Sequence, residues 1–222
     1  MVETKIIILN EQEIIYKIHY KRIKNCYLRV EKGEVVIRCS PMFPQSEIEK
    51  LIRNHQEEIL EQITGYIPKY NYQNGGYVYL FNQKYEIILK DMNIKKCAIH
   101  NHQIYVYSKN IQTTIEMFLK QELMHYLKEK IDFYLSTNFH HALPEIQIKK
   151  MKRRWGACFY QKNRVCFNLV LAHIDYALID YVIVHELCHF IEANHSKAFY
   201  HEIEKRMPDY KERERLLKDV GI

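Results

Sequence analysis

The chain has 222 residues and a mass of 27.0 kDa, with 47% hydrophobic and 27% charged residues and a net charge of +6. That apolar content excludes general disorder, and 6 Gly with 5 Pro exclude collagen-like and low-complexity classes. No run approaches the ~20 apolar residues that cross a bilayer, so no membrane partner is expected, and the chain is long enough to bury a core without disulfide staples.

Residues 6–9, 14–18, 27–30 and 35–37 read as short strands. Turn-prone residues at 10–13 and 31–34 separate two of the pairs and predict antiparallel hairpins. Ser40-Pro41-Met42-Phe43-Pro44 then stops the sheet. Ser46 and Glu49 form a capping-box pattern, in which the serine oxygen and the glutamate each satisfy a free backbone N–H. Ile48, Leu51, Ile52, Ile59, Leu60 and Ile63 recur at helical spacing, predicting one helix that Gly65 and Pro68 end. After Asn74-Gly75-Gly76, the runs at 77–80, 85–89, 97–99 and 104–107 read as a second β stretch, rich in tyrosine and isoleucine. Residues 1–109 carry no pattern with chemistry in it.

Asn110 can cap a long helix reaching about residue 135, with Ile115, Phe118, Leu119, Leu127 and Ile131 on its buried side. Beyond Pro144, residues 146–151, 156–160 and 164–171 read as strands. The run Lys149-Lys150-Met151-Lys152-Arg153-Arg154 reads as a solvated basic strand or loop in preference to a phosphate-binding patch. Asp175 then caps a helix that is apolar nearly all round through Val182, Ile183 and Val184, the mark of a central helix packed on most sides. Six scattered cysteines without a C-x-x-C pair, behind an N-terminus that reads as a strand and not a signal peptide, predict reduced thiols in a cytoplasmic protein.

The central helix holds His185-Glu186-Leu187-Cys188-His189, an H-E-x-x-H pattern of which chance supplies roughly 0.06 copies in such a composition. Histidines at i and i+4 share a face, about 6 Å apart along the axis, so both imidazoles can reach one Zn²⁺. Glu186 can address a zinc-bound water without being a ligand. Two buried imidazoles and a carboxylate in register on an apolar helix are costly without a metal. A catalytic zinc site wants a third protein ligand. Glu192 lies too far along the same straight helix, about 10.5 Å of rise beyond His185. His195 is preferred, which requires the helix to stop near Ala193. Asn194 is suited to a left-handed stop and Ser196 to capping the next helix. Cys188 reads as a buried filler, pointing away from the histidine stripe.

These residues resemble the YgjP-like metallopeptidases, relatives of the SprT-like and Wss1-like zinc proteases. The resemblance rests on Arg153-Arg154-Trp155-Gly156-Ala157-Cys158, on Asn168-Leu169-x-Leu171, and on Asp180 through His189. It continues in Asn194-His195-Ser196-x-x-Phe199 and Pro208-Asp209-Tyr210. With the strands and helices read above, the fold class is α+β: an antiparallel β-rich region with helices over 1–109, either a domain of its own or wrapped around the catalytic part, and over 110–222 what the resemblance implies, a compact zincin-like metallopeptidase domain with a small sheet and a central HExxH helix. The resemblance also implies Zn²⁺ as cofactor, His185, His189 and His195 as its ligands, Glu186 as general acid/base, and a peptide or protein as substrate. By analogy, an extended substrate pairs with the strands around 155–160 and 164–171. Two rival readings use the same site: a DNA-associated SprT-like protease, motivated by the basic run, and a non-catalytic metal-binding interaction protein. Neither substrate identity nor oligomeric state follows from the sequence.

Overall fold

The period-two alternation of the first forty residues becomes a four-stranded sheet in the computed structural model, which describes residues 2–10, 12–31, 33–64, 70–92 and 94–221. The chain divides into two compact units, 1–68 and 69–222. In the first, β1 (Val2–Leu9), β2 (Gln12–Tyr20), β3 (Tyr27–Glu31) and β4 (Glu34–Cys39) lie in the order β1-β2-β4-β3. Both predicted hairpins are antiparallel, and β2 pairs with β4 in parallel at the centre. Inward residues of the sheet, among them Leu9, Tyr16, Ile18 and Ile37, pack with Ile48, Ile52 and Ile59 of the helices that follow.

Those helices depart from expectation in two ways. The first, α1 (Gln45–Asn54), begins one residue before Ser46, and its N-cap is Pro44 without a side-chain cap. Glu49 is engaged instead by the Gln45 amide, which donates to its carboxylate at 2.7 Å. The predicted single helix is also split, because α2 (Gln56–Thr64) starts after a break at His55. The His55 imidazole donates through Nδ1 to the Leu51 carbonyl at 2.9 Å, while its backbone N–H turns to Ile52 O. A side chain thus takes the acceptor that the next helical turn would use. The expected stop at Gly65 and Pro68 lies outside the described residues.

The second unit opens with a five-stranded sheet. Its strands β5 (Tyr70–Asn71), β6 (Tyr77–Leu80), β7 (Gln83–Lys90), β8 (Lys96–His100) and β9 (Gln103–Tyr107) run in the order β5-β6-β7-β9-β8. Asn110 accepts from Thr113 N at 3.0 Å and starts α3 (Ile111–Thr137), whose buried residues recur at spacing four: Ile115, Leu119, Leu123, Leu127, Ile131 and Leu135. Ile104 and Val106 of β9 share one apolar core with Ile115 and Leu119 of α3, so the 109/110 position falls inside this unit.

A small second sheet follows, with β10 (Glu145–Lys149), β11 (Gly156–Phe159) and β12 (Arg164–Asn168) in the order β10-β12-β11. The middle strand β12 is parallel to β10 and antiparallel to β11, which leaves β11 at an edge. Residues 150–155 are loop where the sequence suggests strand to 151. The strand expected to reach 171 stops at Asn168, whose side chain accepts from Val170 N and turns the backbone into a short 3-10 helix, Leu169–His173. Three helices complete the unit: α4 (Tyr176–Cys188), α5 (Lys197–Arg206) and α6 (Tyr210–Val220). As predicted, α4 is central, with Leu178, Ile179, Tyr181, Val182, Ile183, Val184, Leu187 and Cys188 all buried.

The architecture is α+β, as expected from the sequence. Among the described residues no helix is long and apolar enough to cross a membrane. All six cysteines carry free thiols.

Candidate metal centre and active-site cleft

Helix α4 begins where the Asp175 carboxylate accepts from Ala177 N at 2.8 Å, and its last turns carry His185 and Glu186. The helix ends at Cys188, five residues earlier than the sequence suggests, so His189 sits at the C-cap. Asn194 does not take the expected left-handed conformation. The stop is instead made by bonds to the last carbonyls: Phe190 N–H to Leu187 O at 3.0 Å, and Ile191 and Glu192 N–H to Cys188 O, both at 2.9 Å. A helix can end by tightening its own last turn in this way without a left-handed residue. The chain then reverses through His195, and Ser196 caps α5 as predicted by accepting from Phe199 N at 3.2 Å.

The three histidines converge. One ring nitrogen from each of His185, His189 and His195 lies within 4.8 Å of the others. His185 Nε2 and His195 Nε2 face each other at 3.0 Å, close to the ~3.3 Å between two nitrogens on a tetrahedral zinc. Phe199 is fully buried beneath all three rings, with ring centroids 5.0, 4.5 and 4.8 Å from those of His185, His189 and His195. His189 Nδ1 lies 3.2 Å from the Glu192 carbonyl, which can only accept, so this nitrogen carries the proton and Nε2 is left with its lone pair. Glu192, the rejected ligand, thus serves through its backbone.

These groups fit a metal ion. Burial, reinforced by the other two histidines, pushes His185 down to about 3, so its ring is neutral at physiological pH. Burial also lowers His189. His185 Nδ1 is buried with no hydrogen-bond partner, and its other nitrogen faces only a second imidazole. Ring nitrogens drawn together at a common point, two of them on partly buried rings, have a favourable solution when a cation sits there.

Glu186 lies on the adjoining face of α4 and is 5% exposed. Burial pushes its carboxyl up to about 8, while the backbone N–H of Cys158 on β11 and the charge of Arg154 pull the other way. A Cβ added to Gly156 would come within 2.5 Å of Glu186 Oε1, 2.7 Å of Cγ and 2.8 Å of Cδ. The absence of a side chain at 156 is therefore what lets β11 close over the carboxylate. Cys188 is fully buried and its thiol is pushed up to about 12 by that burial, in keeping with a neutral filler.

What holds β11 in place is Asn168. Its side chain is fully buried and its amide spans the loop between β10 and β11. Nδ2 donates to Met151 O and Arg154 O, each at 2.8 Å, and Oδ1 accepts from Met151 N at 3.2 Å and Val170 N at 3.3 Å. The backbone N–H of Asn168 adds a bond to Trp155 O at 2.8 Å. Asn168→Ala is expected to destabilise the fold by about 2–4 kcal/mol, since it leaves buried backbone groups without partners. A chemical denaturation midpoint equal to that of the unmodified protein would contradict this reading.

Histidines, glutamate and β11 line a cleft of about 630 Å³, together with Arg154, Trp155, Tyr160, Tyr181 and, from α6, Glu214, Leu217 and Lys218. Trp155 is half-buried and both packs on the core and faces this cleft. Sequence reasoning assigned no role to Gly156, Asn168, Phe199, Tyr181 or the α6 residues. Gly156, Asn168 and Phe199 all lie in the motifs quoted above, but nothing in their spacing says what they touch.

Among proteins of curated function, none matches the chain. Two solved structures of metallopeptidase zymogens are similar to part of it. Abylysin of Pyrococcus abyssi is 17% identical over 42% of this chain and 94% of its own, with a TM-score of 0.39. Jannalysin of Methanocaldococcus jannaschii is 24% identical over 42% of this chain and 96% of its own, with a TM-score of 0.38. The family described as YgjP-like, metallopeptidase domain, matches residues 24–220, which takes in the second unit almost entirely and much of the first. On that extent of match, the chain belongs to the YgjP-like metallopeptidase family.

Proposed function

We propose that this metallopeptidase is zinc-dependent, with His185, His189 and His195 as the metal ligands and Glu186 as the general base. The observation that carries the reading is the convergence of three imidazole nitrogens within 4.8 Å beside one buried carboxylate. A set of three histidine nitrogens would suit catalytic zinc in preference to the harder oxygen-seeking cations. When bound, zinc would supply Lewis-acid polarisation of the scissile carbonyl and of the attacking water.

The protein's own groups supply the rest. Glu186 accepts a proton from the attacking water at its carboxylate and returns it to the leaving amine, so one group serves as base and then acid. The Cys158 N–H orients that carboxylate, and Gly156 leaves room for it. The unpaired edge of β11 can take an extended peptide as a further strand, which would bring the peptide alongside Glu186.

Metal analysis by mass spectrometry tests the centre directly. Near-stoichiometric zinc is expected in protein purified without chelator or histidine tag, and a severalfold or greater loss in His195→Ala. A folded protein that takes up no added zinc would overturn the reading, as would a His195→Ala variant with full occupancy.

A further inference from the structure

The loop between β10 and β11 carries Lys150, Lys152, Arg153 and Arg154, all exposed. Lys150 is neutralised by Glu116 at 2.6 Å. For Lys152, Arg153 and Arg154, no carboxylate among the described residues stands within ion-pair distance. Loops with this composition usually belong to bulk solvent, but this one is pinned. Asn168 holds Met151, Arg154 and Trp155 through its side-chain oxygen, its side-chain nitrogen and its backbone N–H. The clamp presents Arg154 at the wall of the cleft that contains Glu186 and the histidines.

The α6 part of the lining is different. There α6 offers Lys218 and Glu214, which pair with each other at 3.2 Å and cancel. Among the described residues lining the cleft, the guanidinium of Arg154 is thus the one cation outside the histidines that no ion pair takes up, although its charge is felt at Glu186, and Lys152 and Arg153 precede it on the loop. A guanidinium offers a planar fork of donors that matches a carboxylate in two-point contact.

We propose that Arg154 is a specificity-determining residue that recognises a carboxylate of the peptide substrate, an aspartate or glutamate side chain within a few residues of the scissile bond. The inference rests on the peptidase reading, because it takes the cleft to be where peptide binds. A carboxylate is favoured over a nucleic-acid phosphate by the setting. The unpaired charge lines a cleft of about 630 Å³ beside an edge strand, whereas duplex binding uses basic residues spread over a face.

The test is binding, so that it does not depend on turnover. Full-length Glu186→Gln protein is titrated, by fluorescence anisotropy at low ionic strength, into labelled octapeptides that differ only in carrying Asp and Glu or their amide twins Asn and Gln. A short DNA duplex is the third probe. The acidic peptide is expected to bind about five- to tenfold more tightly than its twin. That advantage falls below twofold when Arg154→Gln is added, and Arg154→Glu reverses it in favour of a lysine-bearing peptide. Arg154 is exposed, so both changes are expected to leave the far-ultraviolet circular dichroism spectrum unaltered.

Equal affinity for the twins, no detectable binding of either, or an advantage that survives Arg154→Gln would each overturn the proposal. So would a variant whose only loss is binding to the duplex, which would transfer the basic loop to nucleic acid. Failure of the peptidase reading shows elsewhere: zinc-loaded wild-type protein would cleave neither twin, while the binding comparison still decides the role of Arg154.

Discussion

Glu186→Gln is expected to lower peptide hydrolysis by about 10²–10⁴-fold and to leave the bound metal unchanged. Glutamine has the shape of glutamate, so it fits the same buried space under β11, and its amide oxygen can still accept the Cys158 N–H. What it cannot do is take a proton from water. The histidine cluster is built from α4 and the turn after it, neither of which needs the carboxylate to keep its shape. Metal content by mass spectrometry, read beside kcat/KM on any peptide the wild type cuts, checks both halves. Hydrolysis persisting within tenfold of wild type would remove Glu186 from the base role. Loss of metal would make it part of the centre instead.

Gly156→Ala is the second large effect expected, about 10²-fold in kcat with metal retained. The new methyl group would stand 2.5–2.8 Å from three atoms of the Glu186 side chain, well inside van der Waals contact. Glu186 is buried, so it cannot swing into solvent to make room, and β11 is tied to β12 along its length. Either the carboxylate or the strand must move, and a shift of about 1 Å at a catalytic group costs on the order of 10² in rate. Overpacking of this kind also costs about 1–3 kcal/mol of stability. If the effect passes through the carboxylate, Gly156→Ala combined with Glu186→Gln should be little slower than Glu186→Gln alone, because two changes acting through one group are not additive. Multiplied losses in the double variant would show that glycine matters for some other reason, as would a single Gly156→Ala variant with wild-type kcat.

Several elements were legible because their causes are local. Asn110, Asp175 and Ser196 each cap the helix predicted for them, since a side-chain oxygen meets a backbone N–H two or three residues away wherever the chain turns into a helix. His185 and His189 share a face for the same kind of reason, as i and i+4 positions must on any helix. The apolar run around Val184 predicts a central helix, and the structure buries most of it, apart from its first residues, Asp180 and the histidines.

Local signals misled where a competing partner was equally near. Ser46 has the spacing of a cap, yet the helix starts one residue earlier, behind Pro44, and Glu49 is taken by the Gln45 amide. His55 sits inside a continuous helical pattern and breaks it by donating to the Leu51 carbonyl. The exit from α4 was expected from Asn194 in a left-handed conformation, whereas the chain leaves after Cys188 through bonds to Leu187 O and Cys188 O. The chain does turn back after α4 and bring His195 to His185, by a different means from the one the sequence suggests.

By itself, then, the sequence determined which side chains are available: two histidines and a glutamate that helical spacing puts in register on a helix apolar enough to be buried, and a third histidine six residues on. Only the tertiary structure decided how they are framed. Gly156 meets Glu186, Asn168 meets the loop before β11, Phe199 lies under the imidazoles, and Arg154 lines the same cleft as α6. Most of these relations join residues far apart in the chain, and all depend on which side chain arrives at a given point in space. No periodicity encodes that, because it is set by the packing of the whole core.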